Sequence, residues 1–227
     1  MDNLLDIGRD MRKKSPADLF QASNSLKVLS FLADNPGREY LSSEILGSTS
    51  MSRAGVYLAL QELVGKGLAD KIERGRFHLY SADQAHPLVK QFKVLKNTVI
   101  LEPLLSRLRP ETIKVILFGS ASRGEDSSSS DIDIFVLTKN PETIRELIAS
   151  FSCGRKIQSV VIAPAQSHDF REKNTVFWGE IDRGIVLWEE QDEPGVSRLS
   201  EEREDKAFFQ RKITGRKRTR VRRIRSS

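Results

Sequence analysis

Hydrophobic residues in the first third of the chain recur at helical spacing in three places and at strand spacing after them. Within the third helical stretch, Val56, Leu60, Leu63 and Val64 share one face, which is typical of a half-buried helix. The predicted elements are helical segments over residues 16–33, 41–46 and 52–66, then strands over residues 68–72 and 77–80. Gly75 between the two strands predicts a tight hairpin.

The pattern changes in the second half of the chain, where short apolar runs alternate with amphipathic segments. A long helix is predicted first, from Pro87 to about residue 108. Its apolar side is expected to consist of Leu88, Phe92, Leu95, Val99 and Leu101. After it come predicted strands over residues 113–118, 132–137 and 157–162, a helix over residues 141–151 and a strand within residues 181–188. The expected fold class is therefore α+β.

Composition indicates a folded protein in a reducing compartment. Hydrophobic residues make up 38% of the 227, which is enough for a packed core. No apolar run approaches the roughly 18 residues of a membrane helix, and the first residues lack the apolar core of a secretory signal. The single cysteine, Cys153, excludes an intrachain disulfide and argues against a Cys/His zinc site. We expect a cytoplasmic protein without a membrane partner.

The formal net charge of +6 is distributed unevenly. Residues 1–88 are neutral and residues 89–195 are slightly acidic, whereas residues 196–227 carry 12 basic and 4 acidic side chains. A basic tail of this kind binds polyanions such as DNA, or remains a solvated, disordered segment. The high isoelectric point of the chain, about 9.5, therefore comes from the basic tail and not from the rest of the sequence.

The stretch with the most informative chemistry is residues 115–137, VILFGSASRGEDSSSSDIDIFVL. A predicted buried strand runs into Gly119-Ser120, where backbone N–H groups and a hydroxyl could hold phosphate oxygens. Further on, Asp131 and Asp133 alternate with isoleucines, so both carboxylates are expected on one face of a strand. Their Cα atoms should lie about 7 Å apart, which suits convergence on one magnesium ion or on two.

An Asp-x-Asp pair alone is common and often has no function. Here Phe118 precedes the Gly-Ser turn, and an apolar run follows Asp133. Two carboxylates at the start of a buried strand repel each other and lose hydration, and a bound cation would compensate for both effects. The stretch therefore predicts a nucleotide–metal site or a descendant of one.

Gly-Ser, a spacer of about ten residues and then Asp-apolar-Asp-apolar resembles the signature of polymerase-beta-like nucleotidyltransferases, especially their small stand-alone prokaryotic members. The resemblance covers about residues 110–190 and implies a mixed β-sheet flanked by helices. It also implies Mg²⁺ (or Mn²⁺) on Asp131 and Asp133, with a nucleoside triphosphate held at Gly119 and Ser120. An acceptor hydroxyl would attack the α-phosphorus and release pyrophosphate. Arg123, inside the spacer, is either a phosphate donor or a solvated loop arginine.

Active members of that family carry a third carboxylate on a later strand, and Gln158 aligns with it here. A glutamine is neutral, cannot act as a general base and is a poor Mg²⁺ ligand. Two interpretations stay open. Either the enzyme works slowly or borrows a ligand, or the domain is a retained scaffold that binds nucleotide, metal or a partner without turnover.

Residues 42–81 resemble the winged helix-turn-helix domains of transcriptional regulators. The resemblance implies a recognition helix that begins near residue 50 and a wing at the hairpin tip. The side chains that could contact DNA are Ser50, Ser52, Arg53, Tyr57, Arg74 and Arg76. Because this part of the chain has no net charge, a dimer or protein-contact module stays an alternative.

These observations predict a lead-in (1–15), a winged helix-turn-helix domain (16–84), a connector helix (85–109), a nucleotidyltransferase domain (110–190) and an acidic-then-basic tail (191–227). The leading hypothesis is Mg²⁺-dependent transfer of a nucleoside monophosphate from a nucleoside triphosphate to an acceptor hydroxyl, coupled to DNA or partner binding. The alternative is a catalytically weak or inactive DNA-binding regulator, such as an antitoxin-like protein with a toxin-like partner.

Overall fold

The structure is a computed structural model, and it describes Phe20 and residues 23–190. The described residues up to Glu189 belong to one compact unit. The predicted lead-in, the basic tail and most of residues 16–22 lie outside the described residues. Within the part that the structure describes, no helix is long and apolar enough to cross a membrane.

The first part of the chain folds into three helices and a small antiparallel sheet. Its elements are α1 (Asn24–Ala33), β1 (Tyr40–Leu41), α2 (Ser42–Thr49), α3 (Arg53–Gly65), β2 (Ala69–Arg74) and β3 (Phe77–Ala82), with strand order β1-β3-β2. Ser23 and Ser52 are the N-caps of α1 and α3, and each hydroxyl accepts a hydrogen bond from the N–H three residues later. The hairpin turns over Gly75 and Arg76, and Gly75 adopts a φ of 61°.

Helix α2 begins at Ser42 and ends at Thr49, whereas the sequence predicts a helical segment over residues 41–46. The N-cap is Leu41, whose backbone N–H donates to the Glu44 side chain at 2.7 Å. The reason is that Tyr40 and Leu41 pair with β3 as a third strand, so the chain passes directly from strand to helix. A strand of two residues is too short to give a period-two pattern.

Helix α4 (Pro87–Leu108) and a 3-10 turn (Arg109–Glu111) lead to the second part of the chain. The predicted apolar side of α4 is wrong at Leu88 and Leu95, which are 63% and 52% exposed. The buried residues are Val89, Lys93, Asn97, Leu101, Leu104, Leu105 and Leu108. They form a stripe at i, i+4 spacing that includes two polar residues, Lys93 and Asn97. This stripe is buried because both parts of the chain pack against this side of the helix.

The second part is a four-stranded mixed sheet between two layers of helices. Its elements are β4 (Lys114–Phe118), α5 (Gly119–Arg123), β5 (Ile132–Leu137), α6 (Pro141–Ala149), β6 (Ile157–Ile162), α7 (Pro164–Lys173), α8 (Thr175–Asp182) and β7 (Ile185–Glu189). The strand order is β6-β5-β4-β7, with β5 and β6 parallel and the other pairs antiparallel. The α+β class is confirmed. The sequence predicts neither α7 nor α8. Helix α7 buries no residue and shows no apolar period.

Side chains of the central strands alternate between the two faces of this sheet. Ile132 and Ile134 pack with the end of α4 and with α6, whereas Phe135 packs with Phe170 and Trp178 from α7 and α8. Asp131 and Asp133 therefore share the face of Phe135, at the end of the sheet where β5 begins.

Gly124 joins α5 to α4 by direct backbone contact. Its φ is 66°, and a Cβ there would lie 2.1 Å from the Lys90 carbonyl oxygen. Because helix backbone cannot rotate away, we expect Gly124→Ala to lower the free energy of unfolding by about 3 kcal/mol, through left-handed strain and forced separation of two packed helices. Urea unfolding measures this loss.

Gly154→Ala is the matched control, because Gly154 has a φ of 78° and nothing within 4 Å of its added Cβ. It should cost only the backbone strain, about 1 kcal/mol. Equal losses in the two variants would contradict the close contact between α4 and α5.

Candidate functional site

Asp131 and Asp133 lie in one cleft at the end of the mixed sheet. Asp133 pairs with Phe118 across β4 and β5, and Asp131 directly precedes β5. Both are half-buried. The cleft has a volume of about 670 Å³ and is lined by Phe118, Ser129, Asp131, Asp133, Gln158, Ser159, Val160 and Phe177. This size falls within the range of small-ligand sites.

The backbone turn at Gly119 lies directly against the Asp133 carboxylate. Gly119 has a φ of 71°, and a Cβ there would lie 2.3 Å from Asp133 Oδ2. A glycine is therefore required both by the backbone conformation and by the space. Ser120 follows in the first turn of α5 and does not line the cleft.

The electrostatics of the cleft disfavour a second negative charge. Burial raises the pKa of Asp133, and the neighbouring Asp131 carboxylate raises it further, while Arg123 and Arg155 act in the opposite direction. Repulsion between two carboxylates in a partly desolvated cleft is relieved when a cation binds. The pair therefore has the charge environment of a cation site.

Gln158 lies beside Asp133 in the parallel register of β5 and β6. Its side-chain Nε2 donates a hydrogen bond to Asp131 Oδ2 at 3.0 Å. Lys156 Nζ lies 3.7 Å from the same oxygen. In this arrangement the Gln158 amide N–H group and the Lys156 ammonium group both face the Asp131 carboxylate.

The donor set fits Mg²⁺ in part. Mg²⁺ is commonly bound by one or two carboxylates together with substrate phosphates, and two carboxylates are present. Among the described residues, no group of three or more histidine, cysteine, aspartate or glutamate side chains could hold a metal ion. Asp169, on α7, lies 3.6 Å from Lys173 at the exposed surface and does not line the cleft.

Arg123 is held beside the cleft by two carboxylates. Its Nε lies 3.0 Å from Glu125 and its Nη1 lies 3.1 Å from Glu180. The hydrogen bond to Glu125 is the main cause of the raised pKa of Arg123. The sequence leaves Arg123 as either a phosphate donor or a solvated loop arginine. Because these two contacts use Nε and Nη1, the Nη2 group could still donate to a phosphate.

Ser129 and Phe177 are among the residues of the cleft wall that sequence reasoning missed. Ser129 lies in a run of four serines, residues 127–130, and its residue type gave no signal. Phe177 is 38% exposed and packs edge to face against Phe118, with ring centroids 5.5 Å apart. Its position in α8 explains the omission, because that helix was not predicted.

The residues predicted to contact DNA divide into two groups. Arg53, Tyr57 and Arg76 line one groove between α2, α3 and the hairpin, and Tyr57 is 56% exposed. The other three have structural partners: Ser50 is the left-handed C-cap of α2, Ser52 caps α3, and Arg74 lies 2.9 Å from Glu39.

Comparison with known proteins bears on the second part of the chain. Residues 101–193 match the family described as polymerase beta, nucleotidyltransferase. This region, called the nucleotidyltransferase domain below, therefore has the general nucleotidyltransferase fold. The matched region starts inside α4, at Leu101, the first residue of that helix that is buried in the core of the mixed sheet.

Comparison of whole chains adds little. No curated protein matches the sequence. Among solved structures, that of TrmBL2, an archaeal chromatin protein described as showing a novel mode of DNA binding, is 12% identical and has a TM-score of 0.26, with 72% of this chain and 73% of that chain covered. A likeness this distant does not indicate a function.

Proposed function

We propose that the nucleotidyltransferase domain transfers a nucleoside monophosphate from a nucleoside triphosphate to an acceptor hydroxyl, with Mg²⁺ or Mn²⁺ as the cofactor. The observation that carries this proposal is the meeting of Asp131 and Asp133 in one cleft, with the Gly119 turn packed directly against the Asp133 carboxylate. Two mutually repelling carboxylates beside a glycine turn are suited to a divalent cation and the phosphates that it accompanies.

In this proposal the cleft residues have separate roles. Asp131 and Asp133 would hold the divalent cation, which when bound neutralises charge on the phosphates. The Gly119-Ser120 turn, beside the Asp133 carboxylate, would contact the triphosphate. Because Ser120 does not line the cleft, its hydroxyl would have to turn toward the phosphates. Arg123 would donate to a phosphate through Nη2 while Glu125 and Glu180 hold its Nε and Nη1. Gln158 cannot accept the proton of the attacking hydroxyl, so that proton would pass to water or to a carboxylate.

The direct test is incubation of the full chain with each labelled nucleoside triphosphate, with Mg²⁺ or with EDTA. We expect label transfer or pyrophosphate release that requires the divalent cation. Absence of both products with every nucleotide, while the protein remains folded, would contradict catalysis.

One observation favours a second candidate function, a DNA-binding regulator whose nucleotidyltransferase domain does not turn over. Gln158 stands beside Asp133 and donates to Asp131, so a neutral amide occupies the neighbourhood in which active relatives need a carboxylate. Such a domain would bind nucleotide, metal or a toxin-like partner without chemistry. This candidate predicts no product in that assay, and binding to duplex DNA that does not depend on nucleotide in a separate gel-shift measurement.

We also propose that residues 16–84 form a winged helix-turn-helix domain that binds DNA, joined through residues 85–109 to the nucleotidyltransferase domain. The order of three helices and a hairpin, with strand order β1-β3-β2, supports this interpretation. A homodimer or partner contact through the same face remains the alternative. The basic tail would add non-specific affinity for DNA.

Arg53 and Arg76 provide the test, because both line the groove beside the exposed Tyr57. We expect Arg53→Ala and Arg76→Ala each to weaken binding of duplex DNA and to reduce the slope of log affinity against log salt by about 1. The comparison variant is Arg183→Ala, which removes an exposed arginine of the other domain. Salt slopes that change equally in all three variants would assign DNA binding to overall charge and not to this face.

A further inference from the structure

A buried polar cluster lies behind the cleft, between α4 and the loop that leads to Asp131. Its members Lys93, Asn97 and Asp126 are each 3% exposed or less. Asn97 Nδ2 donates to Asp126 Oδ2 at 3.1 Å, and the Lys93 ammonium donates to the Asp126 carbonyl oxygen. Burying a carboxylate and an ammonium is costly unless each is paired, so the cluster requires a structural or functional reason.

Arg155 extends this cluster to the backbone of the cleft. Its Nη1 donates to Asp126 Oδ2 at 2.7 Å and to Asn97 Oδ1 at 2.9 Å. On the other side, its Nε donates to the Ser130 carbonyl oxygen at 2.8 Å, and its Nη2 donates to the Asp131 carbonyl oxygen at 3.2 Å. The guanidinium of Arg155 is nearly buried, and it therefore binds the peptide groups on both sides of the Asp131 Cα, from which the carboxylate extends into the cleft.

The same loop is also fixed to the first part of the chain. The Ser128 N–H donates to the Asp34 carbonyl oxygen, just after α1, at 2.9 Å. The Asp34 carboxylate forms an ion pair with Lys96 of α4. Arg155 thus holds the end of the segment that carries Asp131, while the other end is anchored to the first part of the chain. The guanidinium fixes the backbone at this end, and Gln158 contacts the Asp131 side chain.

We propose that Arg155 is a positioning residue for the carboxylate pair: it holds the carbonyl oxygens of Ser130 and Asp131, and Asp126 and Asn97 hold it in turn. This inference rests on the proposed function, in which Asp131 and Asp133 hold a divalent cation. The fork geometry explains why an arginine is needed, because a lysine has one point of charge and cannot serve four acceptors on two sides.

The test measures Mn²⁺ binding to the full chain without nucleotide, by electron paramagnetic resonance of the free ion. We expect Arg155→Lys to weaken Mn²⁺ binding about tenfold, the lower end of the loss seen when groups that orient metal ligands are changed. Arg145→Lys is the matched control, because Arg145 also donates to a strand carbonyl, that of Val161 at 3.0 Å, and neither residue lines the cleft. Hydrogen exchange should rise in residues 126–131 for Arg155→Lys only.

The outcomes separate the inference from the proposed function. Unchanged Mn²⁺ affinity in Arg155→Lys, with wild-type binding that Asp131→Asn abolishes, overturns the positioning role and leaves the cation site. Absence of Mn²⁺ binding in the wild type overturns the cation site, and the positioning role with it. If Arg155→Lys fails to fold, Asn97→Ala removes one partner of the guanidinium and should give a smaller loss in the same direction; unchanged affinity there also overturns the inference.

Discussion

Asp131→Asn and Asp133→Asn should each reduce the rate of nucleotidyl transfer by about a thousandfold or more, since charge neutralisation at the phosphates supplies most of the catalysis in phosphoryl chemistry. Each substitution keeps the shape of the side chain and removes one negative ligand. The measurement is pyrophosphate release at saturating Mg²⁺.

Stability measurements separate this loss from unfolding. Because burial and Asp131 raise the pKa of Asp133, folding disfavours its ionised form. Wild-type stability should therefore fall as the pH rises from about 4 through that raised pKa, whereas Asp133→Asn should lack this fall. The variant should be inactive yet at least as stable as the wild type at neutral pH.

Asp169→Asn is the control for charge, because Asp169 lies on α7 at the surface and outside the cleft. It should retain wild-type transfer. Activity that survives in Asp133→Asn would contradict the assignment of the cleft as the site of chemistry.

Much of the mixed sheet could be predicted because its two central strands, β4 and β5, are largely buried on both faces. Short apolar runs such as Val115–Phe118 favour a buried strand when turn residues bound them, as Gly119 does here. Helix α7 could not be predicted in this way, since it lies on the surface and buries no residue. The two-residue strand β1 depends on pairing with β3, a contact distant in sequence.

The face of α4 shows how a polar cluster misleads a periodicity argument. Lys93 and Asn97 continue the stripe of Val89 and Leu101 at i, i+4 spacing, but their polarity conceals it. A search for apolar residues therefore selected Leu88 and Leu95, which are exposed. The signal was present in the spacing, because buried polar residues occupy core positions when a partner such as Asp126 is supplied from elsewhere.

In the cleft, residue types predicted the carboxylate pair and its shared face, but not what surrounds it. The alternation of Asp131 and Asp133 with isoleucines is local, so the strand geometry follows from the sequence. The contacts of Asp131 with Gln158 and of its backbone with Arg155 come from β6 and the loop before it, about 25 residues later. Only the folded chain brings them to the pair.

Gln158→Glu should convert the amide beside Asp131 into a third carboxylate without a change in side-chain length. With Mg²⁺ present, we expect tighter metal binding and a transfer rate about a hundredfold higher, the lower end of what a positioned general base contributes. Both quantities come from rates of pyrophosphate release measured over a range of Mg²⁺ concentrations.

Without a divalent cation the same substitution should be unfavourable. The Gln158 amide donates to Asp131 Oδ2 at 3.0 Å, and a carboxylate there would replace this hydrogen bond by repulsion. The variant should therefore lose stability in EDTA as the pH rises and its carboxyl groups ionise, and should regain it when Mg²⁺ is added.

Gln158→Met separates the two effects of the substitution, because it removes the amide donor and adds no charge. It should leave the Mg²⁺ dependence of stability as in the wild type. If Gln158→Glu is destabilised in EDTA but neither Mg²⁺ nor nucleotide restores its stability, the cleft does not bind cations even with three carboxylates. Because that result would remove the physical basis for transfer at this site, it would favour the regulator, in which the hydrogen bond from Gln158 to Asp131 is part of a stable and non-catalytic surface.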